Sequence, residues 1–240
     1  MAAPKRKKNS EYFIKITKDG PYLVFGRPRL VAETIVVDAD GQSLDYARTD
    51  VFRVKGDDSD GSFCLCRCGR TRSAPMCDGS HAHAGFDGST TAPFAPIEDG
   101  AQALEGPDLT LLDNPHYCAG ARFCDPNGSV WTLVEAGGPE AARRAVAQAC
   151  RCPGGRLVLL DKKGNRIEPP FPPEIAAVED GGLKISGPLW VRGRIRVEDE
   201  DGRSWEVRNR QALCRCGGSG NKPFCNGNHA RTGWKAARSG

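Results

Sequence analysis

Sixteen residues, Cys66-Arg67-Cys68-Gly69-Arg70-Thr71-Arg72-Ser73-Ala74-Pro75-Met76-Cys77-Asp78-Gly79-Ser80-His81, hold three cysteines and a histidine at intervals of two, nine and four. The same intervals return at Cys214, Cys216, Cys225 and His229. In an extended backbone residues i and i+2 point the same way, so Cys66 and Cys68 can clasp one metal ion. Cys77 and His81 are i and i+4, which share a face on a first helical turn, and Asp78 suits the cap of such a turn. A chain with two such clasps is expected to fold around metal. By spacing alone, three thiolates and one imidazole suit a tetrahedral zinc as well as an iron–sulfur cluster.

Composition agrees with small, stapled modules. The 240 residues suffice for one to three small domains, and 29 glycines with 17 prolines exceed their usual combined share of about 12%. Loop-rich units held by metal fit that balance better than one large apolar core. The eleven cysteines follow an N-terminus, Met1-Ala2-Ala3-Pro4-Lys5-Arg6-Lys7-Lys8, that is basic and lacks the apolar stretch of a signal peptide. No run approaches the roughly 20 apolar residues of a membrane span. The expectation is a soluble, cytoplasmic protein in a reducing compartment, where such cysteines bind metal rather than pair as disulfides. A net charge of +4 gives no reason to expect a nucleic-acid or membrane partner, and residues 1–10 read as a disordered, solvated basic tail.

Residues 11–17 read as a strand, followed by a turn at Asp19-Gly20-Pro21 and a second strand near Tyr22–Phe25. Val31–Val37 is a further strand, closed by Asp38-Ala39-Asp40-Gly41, and Val51–Val54 leads into the first cysteine motif. Gly187-Pro188-Leu189-Trp190-Val191-Arg192-Gly193 echoes Gly20-Pro21-Tyr22-Leu23-Val24-Phe25-Gly26, and Asp199 to Gly202 echoes Asp38 to Gly41. The duplication thus includes a β-rich support. Residues 191–198 alternate, with Val191, Gly193, Ile195 and Val197 on one face and Arg192, Arg194, Arg196 and Glu198 on a solvated one; Trp205 and Val207 continue the apolar face. Residues 89–106 read as a linker, and Glu168-Pro169-Pro170-Phe171-Pro172-Pro173 marks a second break. The expected organisation is a module over 11–88, the linker, a middle module over 107–180, and a second copy over 181–240.

The pattern Cys-x-Cys-x2-Thr/Ser-x3-Pro-x-Cys-Asp-Gly-Ser-His resembles the CDGSH, or NEET, iron–sulfur domain. The first copy fits throughout, including Thr71 and Pro75; the second keeps Ser219, Pro223 and all four ligand positions but reads Cys225-Asn226-Gly227-Asn228-His229. The resemblance implies two 2Fe–2S clusters. Cys66 and Cys68 would hold one iron of the first and Cys77 and His81 the other; Cys214 and Cys216 would stand against Cys225 and His229 in the second. Since single-motif NEET proteins form homodimers, it also implies β-cap plus cluster-binding units arranged as a pseudo-dimer within one monomeric chain. The fold class expected is thus small β-rich α+β modules.

In the middle module, Pro139 opens a short alanine-rich helix over 141–149. Cys118 and Cys124 form a Cys-x5-Cys pair, and Cys152-Pro153-Gly154-Gly155 follows the helix. Over residues 107–165 this resembles the divergent single-cluster ferredoxin-like domain, and the resemblance implies a ferredoxin-like α+β module with a 3Fe–4S or 4Fe–4S cluster on Cys118, Cys124 and Cys152. Cys150 is either the fourth ligand or a bystander; a zinc site or an empty one remains open. His116, next to Cys118, reads as an exposed loop residue, Cys64 as a small buried apolar one, and His83 as surface.

There is no nucleotide-binding glycine loop and no nucleophile–base set, so an enzyme is not expected. Three functions share the ligands: electron transfer with redox partner proteins, delivery of clusters to apo-protein acceptors or iron homeostasis, and a zinc-bound structural module.

Overall fold

The computed structural model describes residues 12–54 and 61–237; the expected tail over 1–10 lies outside them. Alternation sets the first strands. In β1 (Phe13–Ile16) and β2 (Tyr22–Phe25), Ile14, Ile16, Tyr22 and Val24 point inward, while Phe13 and Phe25 stack on the outer face at 4.3 Å. β3 (Arg29–Val37) and β4 (Ser43–Val51) flank a turn in which the Asp38 carboxylate accepts the N–H groups of Asp40 and Gln42. Asp199 does the same for Asp201 and Arg203. These are the Asx turns that the repeated Asp-x-Asp-Gly predicts.

β5 (Phe63–Leu65) enters the first cysteine motif. The middle module comprises β6 (Gln102–Glu105), β7 (Leu109–Asp113), α1 (Val130–Ala136), α2 (Pro139–Arg151) and β8 (Leu157–Asp161). β9 (Glu174–Asp180), β10 (Ile185–Arg192), β11 (Arg196–Glu198), β12 (Arg210–Leu213) and α3 (Asn228–Thr232) complete the chain.

The strands make three sheets, ordered β11-β1-β2-β5, β12-β10-β9-β3-β4 and β6-β7-β8. Each of the first two joins strands from both ends of the chain: β1 runs parallel to β11, and β3 runs parallel to β9 over seven residue pairs. Their facing sides share one core, in which Ile14, Tyr22 and Leu30 meet Ile175, Leu189, Val191 and Leu213. The outer face of the five-stranded sheet, with Val31, Ile35 and Trp190, is covered by Ala121 and Phe123 of the middle module. β10 is therefore buried along its whole length, as a strand covered on both faces must be. The middle module keeps its own core, built on Leu111, Val134, Ala145, Leu157 and Leu159.

The structure departs from the sequence reading in several places. The run 191–198 is not one strand. Gly193 and Arg194, at φ 76° and 60°, turn the chain, so Val191 and Val197 lie in different sheets. Its arginine face is not solvated as a unit: Arg192 is buried and held by Glu33 and Glu174, with Arg48 completing the ion-pair group. Arg194 is exposed, whereas Arg196 lies over the Phe13 ring. Val207 is exposed, while Trp205 is buried. Within the stretch read as a linker, β6 pairs with β7; β9, which the expected boundary at 180 assigns to the middle module, pairs with β10 and β3, so 174–180 lies with the sheets of the outer modules. No helix among the described residues is long and apolar enough to cross a membrane.

Candidate metal centres

Both cysteine motifs fold alike. Cys66 N–H donates to the Pro75 carbonyl at 2.9 Å and Cys77 N–H to that of Cys64 at 3.0 Å; Cys214 and Cys225 make the same bonds to Pro223 and Ala212, each at 2.8 Å. Thr71 Oγ1 donates to the Met76 carbonyl and accepts Ser73 N–H, as Ser219 Oγ does between Phe224 and Asn221. The Ala74–Pro75 and Lys222–Pro223 peptides are both cis. The hydroxyl and proline of the sequence pattern thus shape the loop between the second and third cysteines.

The Sγ atoms of Cys66 and Cys68 are 3.7 Å apart, those of Cys214 and Cys216 3.8 Å. Two sulfurs about 2.3 Å from one tetrahedral ion stand about 3.8 Å apart, so each pair has the bite of a single metal. Cys77 Sγ and Cys225 Sγ each lie 3.4 Å from Nδ1 of their histidine, His81 or His229, close to the same condition. The turn that joins these partners is not the expected capped helix face. Gly79 and Gly227 take φ of 83° and 79° between the cysteine and the histidine, and the helical turn begins only at Ser80 or Asn228. Asp78 accepts the N–H groups of Ser80 and Arg72, and Asn226 accepts that of Asn228.

Burial differs between the copies. His229 is 5% exposed and Cys225 3%, while Cys77 and His81 are half-buried. Burial, with Arg215 next, lowers His229 to about 4, which keeps its imidazole neutral and fit to ligate. Burial pushes Cys225 up to about 12 and Cys68 up to about 11, with Cys66 and Cys77 adding to the latter. The bond between Cys214 and Cys216 raises the former and holds the latter down to about 6. A metal entering these sites therefore displaces thiol protons.

Three groups that the sequence reading passed over hold these loops. Arg67 and Arg215, between the paired cysteines, are buried; each donates Nε–H to a glycine carbonyl, Gly20 or Gly187, at 3.0 Å. Arg67 also lies over the Phe86 ring at 5.2 Å and the Tyr22 ring at 5.7 Å, and Arg215 over the Trp234 ring at 5.3 Å. The Cys-Arg-Cys repeat was the available signal. The Tyr22 hydroxyl crosses to the other copy, donating toward the carbonyls of Cys214 at 2.8 Å and Pro223 at 3.1 Å.

Gly69 packs on the Cys216 carbonyl and Gly217 on that of Cys68, in reciprocal contact. A Cβ on either would sit 2.5 Å from the carbonyl oxygen at positive φ. Gly69→Ala is expected to destabilise the fold by about 3 kcal/mol or more, read as a lowered urea midpoint. Gly79→Ala, at positive φ but in open space, should cost only about 1–2 kcal/mol. Equal costs at the two positions would show that the contact between loops contributes nothing.

In the middle module, Cys118 follows a 3₁₀ turn, Pro115–Tyr117, with the Arg156 guanidinium against its thiol. Cys124 donates to Asp125, and burial with that carboxylate pushes its thiol well up. Cys124 lies in the field of Cys152, which closes α2. Cys150, two residues earlier on that helix, is turned away by about 200° and faces the Ile167 carbonyl at 3.7 Å. The charges that act on its thiol are those of Arg210, Glu168 and Arg151. His116 and His83 are exposed, and Cys64 is half-buried in β5. Among the described residues, no three Cys, His, Asp or Glu side chains gather closely enough for one metal ion.

The middle and C-terminal centres adjoin. The Gly227 Cα faces the Cys118 carbonyl so closely that a Cβ would lie 3.1 Å from it, and Cys118 adds to the field on Cys225. Arg210, 4% exposed, donates to the carbonyls of Ala149, Cys152 and Leu157 and pairs with Glu168. β12 thus carries a clamp on the Cys152 loop at one end and leads to Cys214 at the other.

Comparison with family models agrees with this division. The family described as iron-binding zinc finger, CDGSH type, matches residues 19–82 and 186–230, and the one described as divergent 4Fe-4S mono-cluster matches 104–162. No curated protein and no solved structure matches the chain.

Proposed function

We propose that this chain, two CDGSH-type regions around a divergent ferredoxin-like one, is an electron carrier holding a 2Fe–2S cluster in each outer region and a third cluster between them. Both region types are non-catalytic cofactor-binding modules, and the chain acts as a carrier rather than an enzyme. The observation that carries the reading is the pairing of donors. Each copy presents two sulfurs at 3.7–3.8 Å and, separately, a sulfur and an imidazole nitrogen at 3.4 Å, so that each pair suits one metal of a two-metal centre. When bound, such a cluster supplies one-electron chemistry, and one neutral imidazole in place of a thiolate raises its potential above that of an all-cysteine site.

The paired loops, the reciprocal Gly69 and Gly217 contacts and the parallel pairings β1–β11 and β3–β9 support an intramolecular pseudo-dimer in a monomer. In the middle module we assign Cys118, Cys124 and Cys152 as ligands of a 3Fe–4S or 4Fe–4S cluster. Cys150 is a bystander there, because it faces the opposite side of its helix.

Anaerobic purification with iron, sulfide and zinc assays tests this. About seven or eight irons per chain are expected, against about four if the middle is empty. Cys150→Ser should leave iron content unchanged and Cys152→Ser should remove about three or four irons. A colourless protein with stoichiometric zinc would replace the redox reading with a structural one. The half-buried Cys77–His81 pair favours a second reading, delivery of the N-terminal cluster to apo-protein acceptors, which a transfer-rate assay separates from electron exchange.

A further inference from the structure

The two copies differ where their loops meet their surroundings. Between the second and third cysteines the N-terminal loop carries Arg70 and Arg72; the C-terminal loop has Gly218 and Gly220 at the matching positions. The two glycines are themselves exposed, but neighbouring segments reach their loop: Thr91 donates to the Gly220 carbonyl at 3.0 Å and the Asn221 amide to the His116 carbonyl at 3.0 Å. A Cβ on Gly218 would run into Asn228 of the same motif. The arginines are exposed, and among the described residues neither guanidinium has a hydrogen bond or ion pair. Asp78, in the same motif, is occupied by the N–H groups of Arg72 and Ser80. Exposed Ala82 and His83 and half-buried His81 extend the same rim.

Resting on the carrier reading above, we infer that the Arg70–Arg72 rim of the N-terminal centre is the docking face for an acidic redox protein, and that the chain exchanges electrons with its partner there. The C-terminal centre, covered by the linker and the Cys118 loop, instead faces the middle module. Two unpartnered cations beside an accessible centre steer carboxylates toward it and shorten the search for a productive encounter. Their absence from the covered copy fits a role outside the fold of the loop, because the loop takes the same shape with glycine at both positions.

The test uses loaded, full-length, oxidised protein mixed in a stopped-flow instrument with photoreduced flavodoxin, an acidic FMN protein. One electron passes per encounter; the flavin is oxidised and the cluster reduced. Arg70→Gly/Arg72→Gly is expected to lower the second-order rate about tenfold at low ionic strength and to flatten its salt dependence. Reduced methyl viologen, a cation, should react with the variant at least as fast as with the parent. Arg70→Lys/Arg72→Lys should keep most of the rate, since steering needs charge rather than a planar fork. A flavodoxin rate unmoved by the glycine pair, or an equal fall with both reductants, overturns the docking face. A protein without cluster absorbance instead overturns the carrier reading beneath it.

Discussion

Acidification of the loaded protein is expected to bleach its 2Fe–2S absorbance in two steps of about equal size, the N-terminal centre first. A proton on the ligating nitrogen competes with iron, so loss follows protonation of the histidine. His81 is half-buried and within reach of solvent acid. His229 is 5% exposed, and burial lowers its free imidazole to about 4, so protons compete with iron for it less readily. The C-terminal centre should persist to lower pH than the N-terminal one.

The same shift fixes the sign of the fold's own pH dependence. The folded chain holds His229 below the unfolded value of 6.5, so its contribution is complete above pH 6.5 and is lost as the pH falls toward 4. His81→Cys should abolish the early step and lower that centre's potential, whereas His229→Cys should leave the early step in place. Stopped-flow absorbance after a pH jump reads both. Simultaneous loss of the two centres, or an early step untouched by His81→Cys, would contradict the assignment.

The second large effect concerns Arg210. Its guanidinium satisfies three carbonyls of the middle module and Glu168 while almost wholly buried. Arg210→Met leaves those groups without a partner, a loss of about 3–5 kcal/mol. In a chain of this size that corresponds to a fall of roughly 6–20 °C in melting temperature. Arg210→Lys should recover little, because one ammonium cannot span carbonyls on Ala149, Cys152 and Leu157. Calorimetry of the three proteins decides the matter, and a shift under about 2 °C for the methionine variant would mean that the clamp is dispensable.

The cysteine–histidine motifs and their duplication were legible because both are local patterns. Cysteine spacing, the turn-forming Asp-x-Asp-Gly and the Thr/Ser and Pro positions declare themselves within sixteen residues. The partners of the strands were not legible, since a β-strand's period says which face is buried but not which strand lies beside it. Hence β3 against β9 and β1 against β11 emerged only in the structure. Arg192 was misread for a related reason. Alternation placed it on a polar face, but glutamates of the neighbouring strands β9 and β3 pair with it, and Arg48 of β4 pairs with them in turn. The Gly193–Arg194 break lay inside an apparently continuous run, with one glycine as its local mark. The cysteines of the middle module were visible, yet the direction of Cys150 depends on where α2 ends, and helix ends are the least certain feature of a sequence.

The cross-pairing of strands has a consequence for biosynthesis. β1 leaves the ribosome long before its parallel neighbour β11, which begins at residue 196, and Tyr22 waits for the carbonyls of Cys214 and Pro223. A nascent chain that has completed the first sixteen-residue motif therefore has neither its sheet neighbour nor the opposing loop that Gly69 rests against. Only a chain extended through the second motif closes the surroundings of both, so completion of the first motif is tied to synthesis of the second.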